Sequence, residues 1–473
     1  MGAEDVTFGG QMPSREGQAI LEVHGMAPVP LANRYGRLFR VFTVWFTPNL
    51  VPAAFFIGTL ATASYIGLGF WLGCLACLVG TIVGALPVSI LATYGPRTGL
   101  GQLPLGRLQF GRAVVLPGVL QWVSTVAWDA INAIFGAQAV HLLLGVPFWV
   151  GLLAILALQG VLGLFGYELM HTFHKWMAGV LGIMFVVITV KIAEVGNFHA
   201  RATAHGGNLV GGFILLATIA ASFVVSWAAY ASDYTRYMEP DASRRGIFVL
   251  TLAGVTVSSV WVEVLGVSVA AVAVNSTAAG LRHVVGGGAL GALTLVAVWI
   301  GTVAVNAMDD YSGSLALQAT GLKIKRPVIA VAVTAIAFVL TLWLDTGSLA
   351  AKFQNLLLFI TYWIPPFAAI QMIDWHRNRG RLAVHDAMDV SRLRPGWDAL
   401  IALLVGFGAS VPFMDTTLYV GPVSSGPLHG GDIALAVGFF VGGAVYGLIR
   451  WVETRSWRQP VTAEPVVEAE ALA

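Results

Sequence analysis

Long apolar runs separated by short polar stretches dominate the chain. They lie near 40–66, 70–93, 116–142, 147–166, 176–195, 211–232, 246–273, 290–318, 327–345, 352–373, 397–415 and 431–450, and each is continuous rather than alternating. A helix needs about 20 mostly apolar residues to cross the hydrocarbon of a bilayer. The pattern therefore predicts an all-α polytopic membrane protein with about twelve spans. Barrel strands are shorter and alternate between apolar and polar positions, which these runs do not.

The polar connections supply an orientation. Arg15, Arg34, Arg37 and Arg40 precede span one, and Arg97, Arg107 and Arg112 follow span two. Lys175 follows span four, Arg236, Arg244 and Arg245 follow span six, and Lys323, Lys325 and Arg326 follow span eight. Arg377, Arg379, Arg381, Arg392 and Arg394 follow span ten, and Arg450, Arg455 and Arg458 follow span twelve. The alternate loops hold Arg201, Arg282 and Lys352, with Lys191 near the outer end of span five. Cytoplasmic loops carry the excess of Lys and Arg, so both termini are expected in the cytoplasm. A miscounted span would scramble this alternation.

Composition narrows the class further. Only 11% of residues are charged, against about 25% in soluble domains, so a soluble protein is excluded. The 26 basic and 24 acidic residues nearly cancel, which leaves no charge excess for nucleic acid. The stretch before residue 37 is polar and Pro-rich, with no cleavable signal pattern, and 462–473 reads as a disordered acidic tail. Cys74 and Cys77 form a CxxC inside an apolar run, with no second pair to complete a zinc site, so packing is their expected role.

Two spans contain helix-breaking chemistry. Span one holds Trp45-Phe46-Thr47-Pro48-Asn49 and then Pro52; proline lacks the backbone donor and disfavours helix before it. Span six holds Ser226-Trp227-Ala228-Ala229-Tyr230-Ala231-Ser232-Asp233. Interrupted spans at corresponding places in two halves point to a transporter site; a proline kink and small-residue packing are the plainer alternative. Span three carries Trp128, Asp129 and Asn132 near its midpoint. Trp128 and Asn132 are four apart and share a face, pairing a stacking surface with an amide that both donates and accepts. That suits a flat heteroaromatic ligand. Span eight carries Asn306, Asp309 and Asp310, read as lining one face; intramembrane carboxyls usually face a cavity or a partner. Glu263 is a lone acid in span seven. Asp233 and Arg236 end span six as a gate or clamp.

Other patterns carry little. Gly286-Gly287-Gly288-Ala289-Leu290-Gly291 fits GxGxxG without a βαβ unit, and Glu168 with His171 is a single ExxH. No HExxH, GxSxG or Walker A is present, which disfavours an enzyme; a membrane-embedded enzyme using Asp129 or His171 is the alternative of another class.

At these residues the chain resembles the purine–cytosine permease branch of the nucleobase–cation symporters. The resemblance runs from about Arg34 to Arg379. It is carried by Trp45-Phe46-Thr47-Pro48-Asn49, Tyr94-Gly95-Pro96-Arg97-Thr98-Gly99-Leu100, Trp128-Asp129-Ala130-Ile131-Asn132, Asp233-Tyr234-Thr235-Arg236-Tyr237, Asn306 with Tyr311-Ser312-Gly313, and Ile364-Pro365-Pro366 with Asp374. It implies a five-plus-five inverted-repeat fold like that of the leucine transporter, with two additional helices. The corresponding divisions are a tail at 1–36, a core at 37–380 made of repeats 37–200 and 205–380, spans eleven and twelve at 381–453, and a tail at 454–473.

The resemblance also implies a plasma-membrane carrier that imports cytosine or a purine with a cation. Its substrate contacts would be Trp128, Asn132, Asn306, Thr47 and Asn49, with Phe223 or Trp227 from span six. From their own chemistry and position in the spans, apart from the resemblance, Asp309, Asp310, Asp129, Asp233 and Arg236 are the candidates for coupling or gating. Allantoin, hydantoin, uracil or a vitamin ring such as thiamine are alternative cargoes. Two departures matter. Sodium-coupled relatives place hydroxyls before the span-eight Asn, where this chain has Ala304 and Val305. Many relatives carry Asn at the position of Asp309. The first departure favours protons as the coupling cation. No metal or cofactor is expected; the partners are a small molecule, the cation and lipid, and the oligomeric state stays open.

Overall fold

The computed structural model describes residues 25–164, 167–273, 277–322, 326–380, 382, 384–389 and 392–454. The expectations for both tails, Arg15, Lys323, Lys325, Arg381, and the side chains of Glu168, His171, His174 and Lys175 lie outside the described residues. Eight helices are long and apolar enough to cross a membrane, and a bent pair in span one makes a ninth crossing. Three shorter apolar helices, Phe148–Leu162, Val331–Leu344 and Trp397–Phe413, fall on the runs read as spans four, nine and eleven. The protein is a multi-pass, all-α membrane protein; among the described residues the only β features are the isolated bridges Gly36–Met238 and Asp415–Val420. Large apolar side chains such as Trp71, Ile183, Val331 and Phe440 face outward, as lipid requires.

Span one is broken where its prolines predict. Leu38–Phe46 ends in a 3-10 turn at Thr47–Asn49, Val51 is extended ahead of Pro52, and Pro52–Thr59 resumes the helix after a bend of 59°. Proline at the first helical position gives up no hydrogen bond there. Span six runs as Gly206–Val225 and tightens to a 3-10 turn at Ser226–Tyr230. Span ten divides into Leu349–Thr361 and Ile364–Arg377. Spans two, three, four, five, seven, eight and twelve are Gly69–Ala92, Val115–Leu144, Phe148–Leu164, Tyr167–Val195, Arg244–Ala273, Gly288–Ala319 and Ala434–Thr454. Among the described residues, two helices of eight or more residues lie outside the expected spans: Gln102–Phe110 between spans two and three, and Thr277–Val284 between spans seven and eight.

Small residues set the packing. Gly58 of span one meets the backbone of Glu263 in span seven, and Gly266 meets the backbone of Phe55. Gly80 and Gly84 of span two meet the backbones of Ala217 and Ala221 in span six. A second set joins spans three and eight: Gly118 lies against Ala316 and Thr320, Gly136 against Thr302, and Gly313 against Thr125. Lipid offers no hydrophobic drive between helices, so close backbone approach of this kind supplies the packing energy. Spans eleven and twelve pack on each other at Gly406 and Gly442, and on span ten at Pro366. Cys74 and Cys77 are unpaired, with Cys77 buried. Replacing Gly58 with valine is expected to cost about 1–3 kcal/mol, the usual penalty for overpacking, because the added carbons meet backbone rather than a movable side chain. Thermal unfolding in detergent and the yield of folded protein measure the loss; a wild-type unfolding temperature would contradict it.

Candidate functional site

The breaks in spans one and six face the middles of spans three and eight, and a narrow slot lies among them. Pro48 and Val51 line it from span one, Trp128 and Asn132 from span three, Val305 and Asp309 from span eight, and Phe223, Ser226, Trp227 and Tyr230 from span six. Its empty space amounts to about 260 Å³. Pockets for drug-sized ligands run roughly 300–1,000 Å³. A slot this tight suits a flat ring, admitted by small shifts of its walls.

The walls are aromatic. Phe223 meets Trp128 edge-on, with ring centres 5.6 Å apart. Trp227 meets Trp45 at 5.9 Å and Tyr230 at 5.5 Å, both edge-on. Edge-to-face contacts fix ring planes, so the indole of Trp128 is held as a stacking surface. The polar groups sit at its edges. Trp128 Nε1 has no hydrogen-bond partner among the described residues, and the Tyr230 hydroxyl faces the Asp309 carboxyl. The Ser226 hydroxyl donates to the Phe223 carbonyl at 2.7 Å.

Several expected contacts are placed otherwise. Asn306 does not line the slot: its amide nitrogen donates to the Asp129 carbonyl at 3.1 Å and to Gln159 Oε1 at 2.7 Å. Asn49 and Thr47 also stand behind the wall. Asn49 accepts from Trp227 Nε1 at 3.2 Å and donates to the Trp45 carbonyl at 2.7 Å, fastening span six to the break in span one. The Thr47 hydroxyl donates back to the Thr43 carbonyl at 2.9 Å. Asp309 and Asp310 do not share a face. Adjacent helical residues diverge by about 100°; Asp309 turns to the slot and Tyr230, while Asp310 faces Asp129 and Gln159. Glu263 is buried away from the slot and accepts from the Thr81 hydroxyl at 2.9 Å.

Toward the end of the bundle where residues 25–36 lie, a dense clasp closes the core. The Asp233 carboxylate accepts from the Gln102 backbone at 2.7 Å, and Gln102 Oε1 accepts from the Ser232 backbone at 3.1 Å. Gln102 Nε2 donates to Gln371 Oε1 of span ten. Arg236, wholly buried, donates to the Gly25 carbonyl at 2.7 Å and to the Tyr311 hydroxyl at 2.8 Å. The Tyr234 hydroxyl pairs with Ser312 at 3.0 Å. Arg34 donates to the carbonyls of Val29 and Pro96 at 2.7 and 2.8 Å, so residues 25–36 are strapped over the loop after span two. Tyr94 stacks on Trp375 at 3.9 Å, and Asp374 accepts from Gln109 and Tyr446, each at 2.9 Å. The expected clamp at Asp233 and Arg236 is thus built outward to other elements.

Three participants went unread in the sequence. Ser226 and Tyr230 lie within the segment singled out in span six, but their side-chain directions follow from the 3-10 turn. Gln159 is the one amide in an otherwise apolar span four, and that isolation was its available signal. Among the described residues no group of three or more His, Cys, Asp and Glu converges as a metal site.

Residues 28–442 match the family described as permease for cytosine/purines, uracil, thiamine, allantoin. A putative purine-cytosine permease of Bacillus subtilis is 27% identical, over 88% of this chain and 93% of its own length. A purine-cytosine permease of Emericella nidulans is also 27% identical, over 92% of this chain and 89% of its own length. Among solved structures, Mhp1, a nucleobase-cation-symport-1 family transporter in a closed conformation with bromovinylhydantoin bound, superposes with a TM-score of 0.73 at 17% identity, covering 96% of this chain and all of that one. That likeness establishes the leucine-transporter-like fold.

Proposed function

This chain belongs to the family of permeases for cytosine/purines, uracil, thiamine and allantoin, and from that premise we propose that it imports a nucleobase, cytosine or a purine, in symport with protons. It is a transporter and not an enzyme. The slot between Trp128 and the rings of span six carries the substrate reading: it offers one stacking plane, with an amide, a carboxyl and a hydroxyl at its edge. The ring stacks on Trp128. Asn132 donates and accepts at its polar edge, Asp309 accepts from an amino or ring N–H group, and the break in span one brings its backbone close to the ligand. Binding of base and cation together shifts the carrier between outward- and inward-open states.

The charge pattern supports a plasma-membrane orientation with both termini inside, which makes the clasp at Asp233 and Arg236 the cytoplasmic gate. Proton coupling is supported by Ala304 and Val305, which are buried and carry no side-chain oxygen; sodium is ligated by oxygen. Cells producing the protein are expected to take up labelled cytosine, adenine or hypoxanthine. Absence of uptake of all three, with the protein at the surface, would overturn the substrate reading. Uptake is expected to survive replacement of external sodium and to collapse on addition of a protonophore. Sodium dependence without protonophore sensitivity would overturn the coupling.

A further inference from the structure

Beside the slot, the two spans that carry Trp128 and Asp309 bring a second polar group together. Asp129 is wholly buried, and neither of its carboxyl oxygens has a hydrogen-bond partner of ordinary geometry among the described residues. Asp310 faces it from span eight, and Gln159 of span four faces both carboxyls. Gln159 is 1% exposed; its Oε1 accepts from Asn306, while its Nε2 has no partner of ordinary geometry among the described residues. Asn306 is also buried, and its Oδ1 has no partner among the described residues. The other titratable groups facing this cluster are Asp309 and Tyr230. The helices Val115–Leu144, Phe148–Leu164 and Gly288–Ala319 contain no Lys or Arg.

Two adjacent carboxyls in such a place cannot both stay ionised, because each charge is desolvated and each repels the other. A proton between them turns one into a donor to its neighbour. The same proton ties span three to span eight one residue away from both Trp128 and Asp309, so its presence bears on the spacing of the slot walls. Asp310 is partly exposed, whereas Asp129 is buried.

We propose that Asp129 and Asp310 hold the coupling proton as a shared pair, with Gln159 Nε2 donating to the carboxyl oxygen left without it. The proton arrives from outside, resides between the two carboxyls while the base is bound, and leaves to the cytoplasm. This inference rests on the proton-symport reading above.

The test uses full-length protein in liposomes with labelled cytosine, comparing wild type with Asp129→Asn and Asp310→Asn. Wild type is expected to accumulate cytosine under an inside-alkaline pH gradient. Each variant should lose accumulation at least tenfold more than it loses gradient-free exchange of labelled for unlabelled cytosine. Equal losses of both would make the pair structural and overturn the proposal, as would unimpaired accumulation. Failure of wild type itself to respond to the gradient, with exchange intact, would bring down the proton reading first and the proposal with it. Infrared titration of the ligand-free protein reads the proton without any base: a protonated-carboxyl stretch should vanish in Asp129→Asn and shift in Asp310→Asn. Its persistence unchanged in both variants would overturn the assignment.

Discussion

Replacement of Trp128 by alanine is expected to lower uptake of the transported base at micromolar concentrations by roughly 5- to 150-fold, with protein at the surface unchanged. Stacking of a base on an aromatic side chain is worth about 1–3 kcal/mol, and about 1.4 kcal/mol is tenfold in affinity. The indole is buried in the wall and held by Phe223, so its loss also removes the surface that orients the ring. Phenylalanine at this position should restore part of the uptake, because it keeps a π-face but loses the Nε1 donor. A near-normal rate in the alanine variant would remove Trp128 from the site. Equal defects in the alanine and phenylalanine variants would place the weight on Nε1 rather than on stacking.

Arg236→Ala is expected to have the second largest effect, and through a different route. Arg236 joins the end of span six to Tyr311 of span eight and to the strap at Gly25. Hydrogen bonds from a charged group are worth about 1.5–3 kcal/mol each. Their loss should favour the state open at this end, and a ligand arriving from the other side then binds with an affinity reduced by the fraction of carriers still able to receive it. A cysteine placed at Leu315, buried within the clasp one turn along span eight from Tyr311, reads this directly in a background lacking Cys74 and Cys77. Labelling from the proposed cytoplasmic side should rise severalfold in the Arg236→Ala background, while apparent affinity for external base falls. Unchanged labelling would show that the clasp does not control the equilibrium.

The spans could be read because hydrophobic length and flanking charge are local properties, and the breaks because Pro48 and Pro52 act on their own backbone. The face shared by Trp128 and Asn132 was readable for the same reason, since both stand on one helix four residues apart. The direction of the Asn306 amide was not, because it is decided by Gln159 on another span. Asp309 and Asp310 were grouped by proximity to Asn306, although neighbours on a helix must point apart; tertiary packing then gave one to the slot and one to Asp129. Gln102–Phe110 escaped notice because it is too short and too polar to stand out as a run, yet its first residue holds the clasp together.

The glycine contacts have a mechanical consequence. Among the described glycines in the spans, those of one, two, six and seven interlock with one another, and those of three and eight do likewise, but none bridges the two groups across the slot. The slot is therefore a seam. Parting it unlocks no glycine-packed backbone; at the strap end it breaks side-chain hydrogen bonds, worth about 0.5–1.5 kcal/mol net where both partners are neutral, as for Tyr234 and Ser312, and about 1.5–3 kcal/mol where one is charged, as for Arg236 and Tyr311. A carrier built this way can open without unwinding a helix, and the work of each cycle is shared between the clasp and the cargo's own contacts.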